Sequence, residues 1–187
     1  MTKLKKWQLI KTEDVSPSKY FPVEKRRYKL PNGKTVDDFY VTTIADSVHV
    51  VPVTKEGKVV MIRIYKQGVD KVVTQFPAGR FESAKHSDII DVAVQELEEE
   101  AGIKVSADQL EYVGKHALMT TKATEYAHLY LVKDVEFNGQ QNLDENEEIE
   151  VITLNPKEVD ELIVKGEIIG SPTIANWYLI KKKYFKL

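Results

Sequence analysis

Residues 79–103 read GRFESAKHSDIIDVAVQELEEEAGI, and they are the most informative stretch of the chain. Ser87-Asp88 is a helix start signal and Gly102 is a stop signal, so the segment between them predicts a helix of about three to four turns. Apolar residues recur on one face of this helix at Ile89 or Ile90, Ala93, Leu97 and Ala101. This stripe predicts that the helix packs against a core.

A second face of the same helix is acidic. Glu96, Glu99 and Glu100 stand three and four positions apart, which places their carboxylates side by side. Each close pair of like charges costs a few tenths of a kcal/mol, and the C-terminal half of a helix already carries negative dipole charge. Two interpretations are open: a solvated helix face, or a face that holds a cation.

Composition limits the possible functions. The 187 residues are 42% hydrophobic and 30% charged, which fits one soluble domain with a small N-terminal appendage. The 27 basic and 29 acidic residues give a formal net charge of -2, so no global charge favours nucleic acid or an anionic membrane. The absence of cysteine excludes disulfides and cysteine nucleophiles, and no apolar run has membrane-spanning length. A cytoplasmic protein is expected.

The order of elements predicts a mixed α/β layered fold with a boundary near residue 46. Residues 1–45 form an N-terminal β region, in which Pro31-Asn32-Gly33 predicts a turn between strands at residues 28–30 and 35–41. Residues 46–187 form the main domain. Its strands are predicted at residues 48–53, 59–65, 72–76, 111–113, 127–132 and 148–154. Helices are predicted from Asn155-Pro156 and from Ser171-Pro172, the second with Trp177 and Tyr178 in the core.

Residues 95–103 resemble the second half of the Nudix box, Arg-Glu-apolar-x-Glu-Glu-x-Gly-apolar, at every position but the first. Residues 76–79, Phe-Pro-Ala-Gly, resemble the entry to that box in the ADP-ribose pyrophosphatase branch of the superfamily. Further similarity lies, in the expected order, at Trp7 and at residues 30–33, 63–66 and 144–151. The resemblance implies the Nudix fold, a mixed β-sheet sandwiched between helices (α/β/α), with a small N-terminal antiparallel β region.

The chain departs from the family pattern at the loop before the helix. Gln95 stands where the family has arginine, Ser87 stands where it has glutamate, and the loop at residues 80–86 is two residues longer. In the family, this glutamate and arginine brace the loop against the helix. Both are missing together, so we expect another contact to replace the brace while the metal-facing carboxylates remain.

The resemblance implies a divalent metal site, for Mg²⁺ or Mn²⁺. The implied ligands are the backbone carbonyl of Ala78 and the carboxylates of Glu96, Glu99 and Glu100, with Glu147 as a possible further ligand. Such metals neutralise a diphosphate and lower the pKa of an attacking water. Glu145 in the acidic loop is the candidate general base, and Glu99 is a second candidate catalytic residue. The alternative interpretation of residues 144–150 is a solvated loop.

The candidate substrate-binding residues are Arg63, Lys66, Arg80, Trp7 and Phe39, with Tyr40 as the alternative to Phe39. Because side chains alternate along a strand, only one of Arg63 and Lys66 is expected to contact phosphate. The aromatic residues would stack on a nucleobase, or else pack in a core or a dimer interface. The sequence assigns no site role to the histidines, His49, His86, His116 and His128.

The resemblance therefore implies a Mg²⁺-dependent hydrolase of ADP-ribose or a related nucleoside diphosphate sugar. The products would be a nucleoside monophosphate and a sugar phosphate. A homodimer joined through the N-terminal β region is expected, with no nucleic-acid or membrane partner. Gln95 and Ser87 leave two alternatives open: a nucleotide-binding or regulatory protein that has lost catalysis, or a Nudix hydrolase of another nucleoside diphosphate derivative.

Overall fold

The computed structural model describes residues 3–185. The strands are β1 (Gln8–Asp14), β2 (Val23–Lys29), β3 (Thr35–Thr42), β4 (Ser47–Thr54), β5 (Val59–Lys66), β6 (Lys71–Gln75), β7 (Ala78–Arg80), β8 (Glu111–Ala117), β9 (Tyr126–Val135) and β10 (Ile149–Leu154). The helices are α1 (Ile89–Ala101), α2 (Pro156–Val164) and α3 (Ser171–Ile180). A short 3₁₀ turn at Ala107–Gln109 and a π-helical turn at Lys181–Phe185 complete the elements.

The chain divides into two compact units. The first contains the N-terminal residues up to Ala45 together with Ala117–Glu125, a segment that the predicted boundary assigns to the second domain. Its sheet has the order β1-β2-β3, and both pairings are antiparallel. The predicted hairpin between β2 and β3 is confirmed, since Tyr28 lies opposite Val36. Gly33 closes the turn with a φ of +86°, a conformation that glycine adopts without strain.

The second unit contains Asp46–His116 and the residues from Tyr126 onward, and it is built on one seven-stranded sheet. The strand order is β10-β5-β4-β9-β8, with β6 beside β5 and β7 beside β4. Strand β4 runs parallel to β9 and antiparallel to β5 and β7, so the sheet is mixed. Strand β4 therefore pairs with the short strand β7, which precedes α1, as well as with β5 and β9.

Alternating side chains of the sheet form two hydrophobic layers. One layer packs α1 on the sheet through Val48, Val50, Tyr130, Val132, Val92, Ala93 and Leu97. The opposite layer packs α2 and α3 through Val51, Met61, Leu131, Val159, Trp177 and Ile180. The predicted α/β/α arrangement is confirmed. No helix within residues 3–185 is long and apolar enough to cross a membrane.

Helix α1 begins and ends where its sequence signals predict. Asp88 is the N-cap, and its side chain accepts a hydrogen bond from the Ile90 N–H while the Asp91 side chain accepts one from the cap backbone. Gly102 ends the helix in the left-handed conformation, with a φ of +65°. Both ends are thus fixed locally, which sets the direction of the acidic face.

Two details of the sequence-based interpretation differ from the structure. Residues 78–80 form strand β7, which has no periodic apolar pattern because its pairing with β4 is long-range. Tyr178 was predicted to lie in the core, and this prediction is wrong, since its side chain is 65% exposed. It follows the buried Trp177 directly, and adjacent residues of a helix point in directions about 100° apart.

Candidate active site

The acidic face of α1 lies against the entry segment that leads into the helix. Glu100 is only 4% exposed, and its Oε2 accepts a hydrogen bond of 2.8 Å from the Ala78 N–H. Glu96 and Glu99 are partly buried. Glu98, in contrast, forms an ion pair with Lys104 at 3.0 Å. The interpretation of a uniformly solvated acidic face is therefore wrong for Glu100.

Burial and mutual repulsion perturb two of these carboxyl groups. Burial, followed by the charges of Glu99 and Glu147, raises the pKa of Glu96 to about 7. Burial also raises the pKa of Glu100 to about 8, against the stabilising hydrogen bond from Ala78, and the charge of Glu96 raises it further. Carboxyl groups whose pKa values are raised by burial and by neighbouring charges are common at functional sites.

Gly79 allows β7 to pass directly over the carboxylate of Glu96. A Cβ atom at this position would lie 1.7 Å from Glu96 Oε1, well inside contact distance. The glycine of the Pro-Ala-Gly segment is therefore needed for close approach. Together with the Ala78 contact to Glu100, it holds two carboxylates of α1 beneath one short strand.

The acidic loop between β9 and β10 is tied to the C-terminal end of α1. The Asn142 N–H donates to the Glu99 carbonyl at 3.0 Å, and Gln141 Nε2 donates to the Glu100 carbonyl at 2.8 Å. These are carbonyls of the last helical turn, which have no partner inside the helix. The contacts bring Glu147 close enough to raise the pKa of Glu96 and of Glu100, and Asp144 close enough to raise that of Glu96.

Lys66 and Arg63 point in different directions from β5, as the strand alternation predicts. Lys66 lines a cleft of about 520 Å³ together with Glu145 and Glu147, and its charge lowers the pKa of Glu100. Arg63 instead forms an ion pair with Glu150 of β10 at 2.9 Å. Of the two basic residues, Lys66 is therefore the one that faces the carboxylates of α1.

The donor set fits a hard divalent cation that is completed by other oxygens. Within residues 3–185, no three acidic or histidine side chains converge closely enough to enclose a metal ion on their own. Magnesium usually takes one or two protein carboxylates and fills its shell with water and substrate phosphate oxygens. Burial raises the pKa values of Glu96 and Glu100, and a bound cation would stabilise the ionised form of both groups.

A contact between the lengthened loop and α1 occupies the place of the missing family brace. His86 Nε2 lies 3.0 Å from Gln95 Oε1, and Gln95 Nε2 donates to both carboxylate oxygens of Glu99 at 3.1 Å. His86 is 9% exposed. The sequence assigns no site role to His86, and its contact with Gln95 places it against α1. The sequence signal for this contact was the position of His86, directly before Ser87 in a loop that is two residues longer than in the family.

Two other histidines, His49 and His116, lie close to each other. Burial, and then the charges of His116 and Lys66, lower the pKa of His49 to about 4, so its ring is neutral near pH 7. Burial lowers the pKa of His116, and neither of its ring nitrogens has a hydrogen-bond partner among the described residues. His128 forms a hydrogen-bonded pair with Asp46 at 3.0 Å.

The first unit contains its own aromatic cluster. The rings of Trp7, Tyr28 and Phe39 meet edge to face with centroids 5.7–6.3 Å apart, and Lys122 Nζ lies 4.5 Å from the centre of the Phe39 ring. The three rings line a cavity of about 330 Å³. The sequence analysis did not identify Tyr28 as a member of this cluster.

Two further candidate residues lie on the surface. Tyr40 follows Phe39 on β3 and is 44% exposed. Arg80, in the second unit, is also exposed.

Comparison with known proteins identifies the family to which the chain belongs. A sequence model of the NUDIX domain matches residues 43–175. A solved structure described as an ADP compounds hydrolase superposes with a TM-score of 0.83, covering 97% of this chain and 96% of the other at 18% identity, which supports the fold alone. The chain therefore belongs to the Nudix family and is ADP-ribose pyrophosphatase-like in sequence.

Two relatives match nearly the whole chain. The methanol dehydrogenase activator of Bacillus methanolicus is 31% identical over 181 residues, which are 96% of this chain and 95% of the relative. The ADP-ribose pyrophosphatase of Bacillus subtilis (strain 168) is 26% identical over 165 residues, 88% of this chain and 86% of the relative. The similarity to both therefore extends beyond the residues that the NUDIX model matches.

Proposed function

We propose that the protein hydrolyses the pyrophosphate bond of ADP-ribose or a related nucleoside diphosphate sugar, with Mg²⁺ or Mn²⁺ as cofactor. The products are a nucleoside monophosphate and a sugar phosphate. The observation that carries the proposal is a pair of carboxyl groups with raised pKa values, the buried Glu100 and the partly buried Glu96, beneath strand β7 and near Glu147 and Lys66. The similarity to an ADP-ribose pyrophosphatase supports the substrate class.

The proposed metal ligands are Glu96, Glu99 and Glu100, the Ala78 carbonyl, and Glu147 from the acidic loop. When bound, a divalent cation neutralises diphosphate oxygens and lowers the pKa of a coordinated water. The protein supplies the rest of the arrangement. The burial of Glu100 keeps its carboxylate in place, and the contacts of the loop with the end of α1 hold Glu147 nearby.

Glu145 is the proposed general base, and Lys66 the proposed phosphate contact. Both line the same cleft, whose volume of about 520 Å³ is ordinary for a small-molecule site. The oxygen of a water molecule attacks one phosphorus while the bond from that phosphorus to the bridging oxygen breaks. Glu145 accepts the proton of the water. Arg63 pairs with Glu150, so we give it a secondary role in substrate binding, together with the exposed Arg80.

The N-terminal β region, residues 1–45, is proposed to bind the nucleobase and to join two copies in a homodimer. Trp7 and Phe39 supply ring faces beside a cavity, and Lys122 supplies positive charge nearby. Edge strand β1 is exposed along its length, which leaves a row of backbone groups free to pair with a second chain. A cytoplasmic location, with no nucleic-acid or membrane partner, belongs to the same proposal.

A substrate panel tests the proposed reaction. ADP-ribose, other nucleoside diphosphate sugars and dinucleotide polyphosphates would be incubated with the protein in Mg²⁺ or Mn²⁺, and the products separated by ion-exchange chromatography. We expect AMP and ribose phosphate from ADP-ribose, and no turnover in EDTA. Turnover restricted to dinucleotide polyphosphates would contradict the substrate class, and complete inactivity of folded protein would contradict the enzyme.

A second candidate function is nucleotide binding without efficient turnover. It is favoured by the similarity to the methanol dehydrogenase activator and by the departures at Ser87 and Gln95. This function predicts thermal stabilisation by ADP-ribose without product formation, because a ligand that binds only the folded state raises the unfolding temperature. The same panel, read by both unfolding temperature and chromatography, separates the two candidates.

A further inference from the structure

The loop before α1 folds around the side chain of His86. The Glu82 N–H donates to His86 Nδ1 at 3.0 Å, and the His86 N–H donates back to the Glu82 carbonyl at 2.9 Å. The ring of Phe81 lies beside the imidazole, with centroids 5.9 Å apart. These contacts close the lengthened loop onto one ring and fix that ring in position.

The hydrogen bonds allow only one arrangement of donors along the path from the loop to α1. Because Nδ1 of His86 accepts from a backbone N–H, its proton is on Nε2, which then donates to Gln95 Oε1. The amide nitrogen of Gln95 is thereby directed to Glu99, where it donates to both oxygens. The reversed amide would place an oxygen against the carboxylate.

We infer that His86 and Gln95 are positioning residues that orient the carboxylate of Glu99 for metal binding. This inference rests on the proposed function, since it concerns the same metal site. In the family, a charged glutamate and arginine brace the loop against the helix, and this chain has Ser87 and Gln95 at those positions. Here the neutral side chains of His86 and Gln95 connect the loop to the helix instead. Hydrogen bonds that orient a metal ligand typically change metal affinity by about 10- to 100-fold when they are removed.

The test uses variants that keep shape and remove the donors. His86→Phe keeps a ring beside Phe81 but has no nitrogen, and Gln95→Met keeps the chain length but has no amide. Ser83→Ala, in the same loop, is the matched control because its side chain is exposed. Binding of Mn²⁺ would be measured by calorimetry, together with the unfolding temperature of the metal-free protein and the kcat and KM for ADP-ribose.

We expect each single variant to bind Mn²⁺ about tenfold more weakly, with KM nearly unchanged and kcat reduced. The double variant should bind no more weakly than either single variant, because both remove the same support from Glu99. Adding Gln95→Arg to His86→Phe should restore most of the Mn²⁺ affinity, since an arginine can donate to Glu99 without His86.

Two results would overturn the positioning role while leaving the proposed function intact. One is a His86→Phe variant whose Mn²⁺ affinity is the same as that of the wild type and of Ser83→Ala. The other is a double variant whose loss equals the product of the single losses, which would mean that the two residues act independently. Failure of the wild-type protein to bind Mn²⁺ would instead contradict the proposed function, and with it this inference.

Discussion

At the scale of single residues, the burial of Glu100 has the largest effect on the electrostatics of the acidic face of α1. Its side chain is 4% exposed, yet within residues 3–185 its carboxylate receives a hydrogen bond only from the Ala78 N–H. A carboxylate in such a place is costly unless a positive charge accompanies it. Lys66 provides part of that charge, but the pKa of Glu100 is still raised to about 8, and that of Glu96 to about 7.

These raised pKa values predict that the metal-free protein loses stability as the pH rises through them. Above an unfolded-state pKa of about 4.5, the native state binds more protons than the unfolded state, so the free energy of unfolding falls. The lowered pKa of His49 acts in the opposite direction, mostly below pH 6.5. Between about pH 6.5 and pH 8 we expect a loss of about 2 kcal/mol in urea unfolding.

Addition of Mg²⁺ should cancel most of this loss and release protons into a weakly buffered solution. The variant Glu100→Gln keeps an acceptor for the Ala78 N–H and removes the charge, so its metal-free stability should fall much less over the same range. A wild-type protein whose stability is constant from pH 6.5 to pH 8 would contradict the environment described for Glu96 and Glu100.

Gly79→Ala tests the close approach of β7 to α1. The new Cβ would meet Glu96 Oε1 at 1.7 Å, so the carboxylate or the strand must move. We expect kcat for ADP-ribose to fall at least about tenfold, because positioning errors of about 1 Å can cost a hundredfold in rate. Gly68→Ala is the control, since a Cβ there would meet no atom of residues 3–185 within 4 Å and its φ is not positive. Equal activity of both variants would contradict the packing described.

At the scale of elements, the sequence predicted best what short-range patterns determine. Helix α1 followed from its apolar stripe, the cap at Asp88 and the stop at Gly102. The hairpin between β2 and β3 followed from its turn tripeptide. Strand β7 could not be predicted in this way, because its pairing with β4 connects residues about thirty positions apart. The acids of the proposed site were predicted from family resemblance and local spacing, and their roles stay predictions.

The contact from His86 to Gln95 could not be predicted either. It depends on how a loop of altered length folds, and loop conformation leaves no hydrophobic period in a sequence. The sequence did indicate that a brace was missing, since Ser87 and Gln95 replaced two charged residues together. The identity of the replacement required three hydrogen bonds that only the folded loop contains.

The contacts of the Gln141 side chain predict that the position of the acidic loop depends on the C-terminal end of α1. Its Nε2 donates to the carbonyls of Glu100 and of Ile149, so one side chain joins the helix to the start of β10. In Gln141→Met this link is lost, and we expect kcat to fall about tenfold with a small change in the free energy of unfolding, about 1 kcal/mol. Gln140→Met alters an exposed neighbour and should leave kcat unchanged. Equal kcat values in a steady-state assay would contradict the anchoring role.

At the scale of the whole molecule, the second unit follows the predicted Nudix architecture, and the family match covers residues 43–175. The functional roles of the first unit stay predictions. Its aromatic cluster contains Tyr28 in addition to the predicted Trp7 and Phe39. The predicted boundary near residue 46 matches the start of the second unit at Asp46, and the segment Ala117–Glu125, from the second half of the chain, is grouped with the first unit.

The central claim is that the buried acids of α1 bind a divalent cation, and Mn²⁺ titration by calorimetry tests it most directly. Wild-type protein, Glu100→Gln and Glu98→Gln would be compared at about pH 8, where about half of Glu100 is ionised in the metal-free protein. Glu98 is the matched control, because it lies two positions earlier on α1 and pairs with Lys104. We predict that the wild type and Glu98→Gln bind with similar affinity and that Glu100→Gln binds at least about tenfold more weakly. Equal Mn²⁺ affinity in all three proteins would contradict the account.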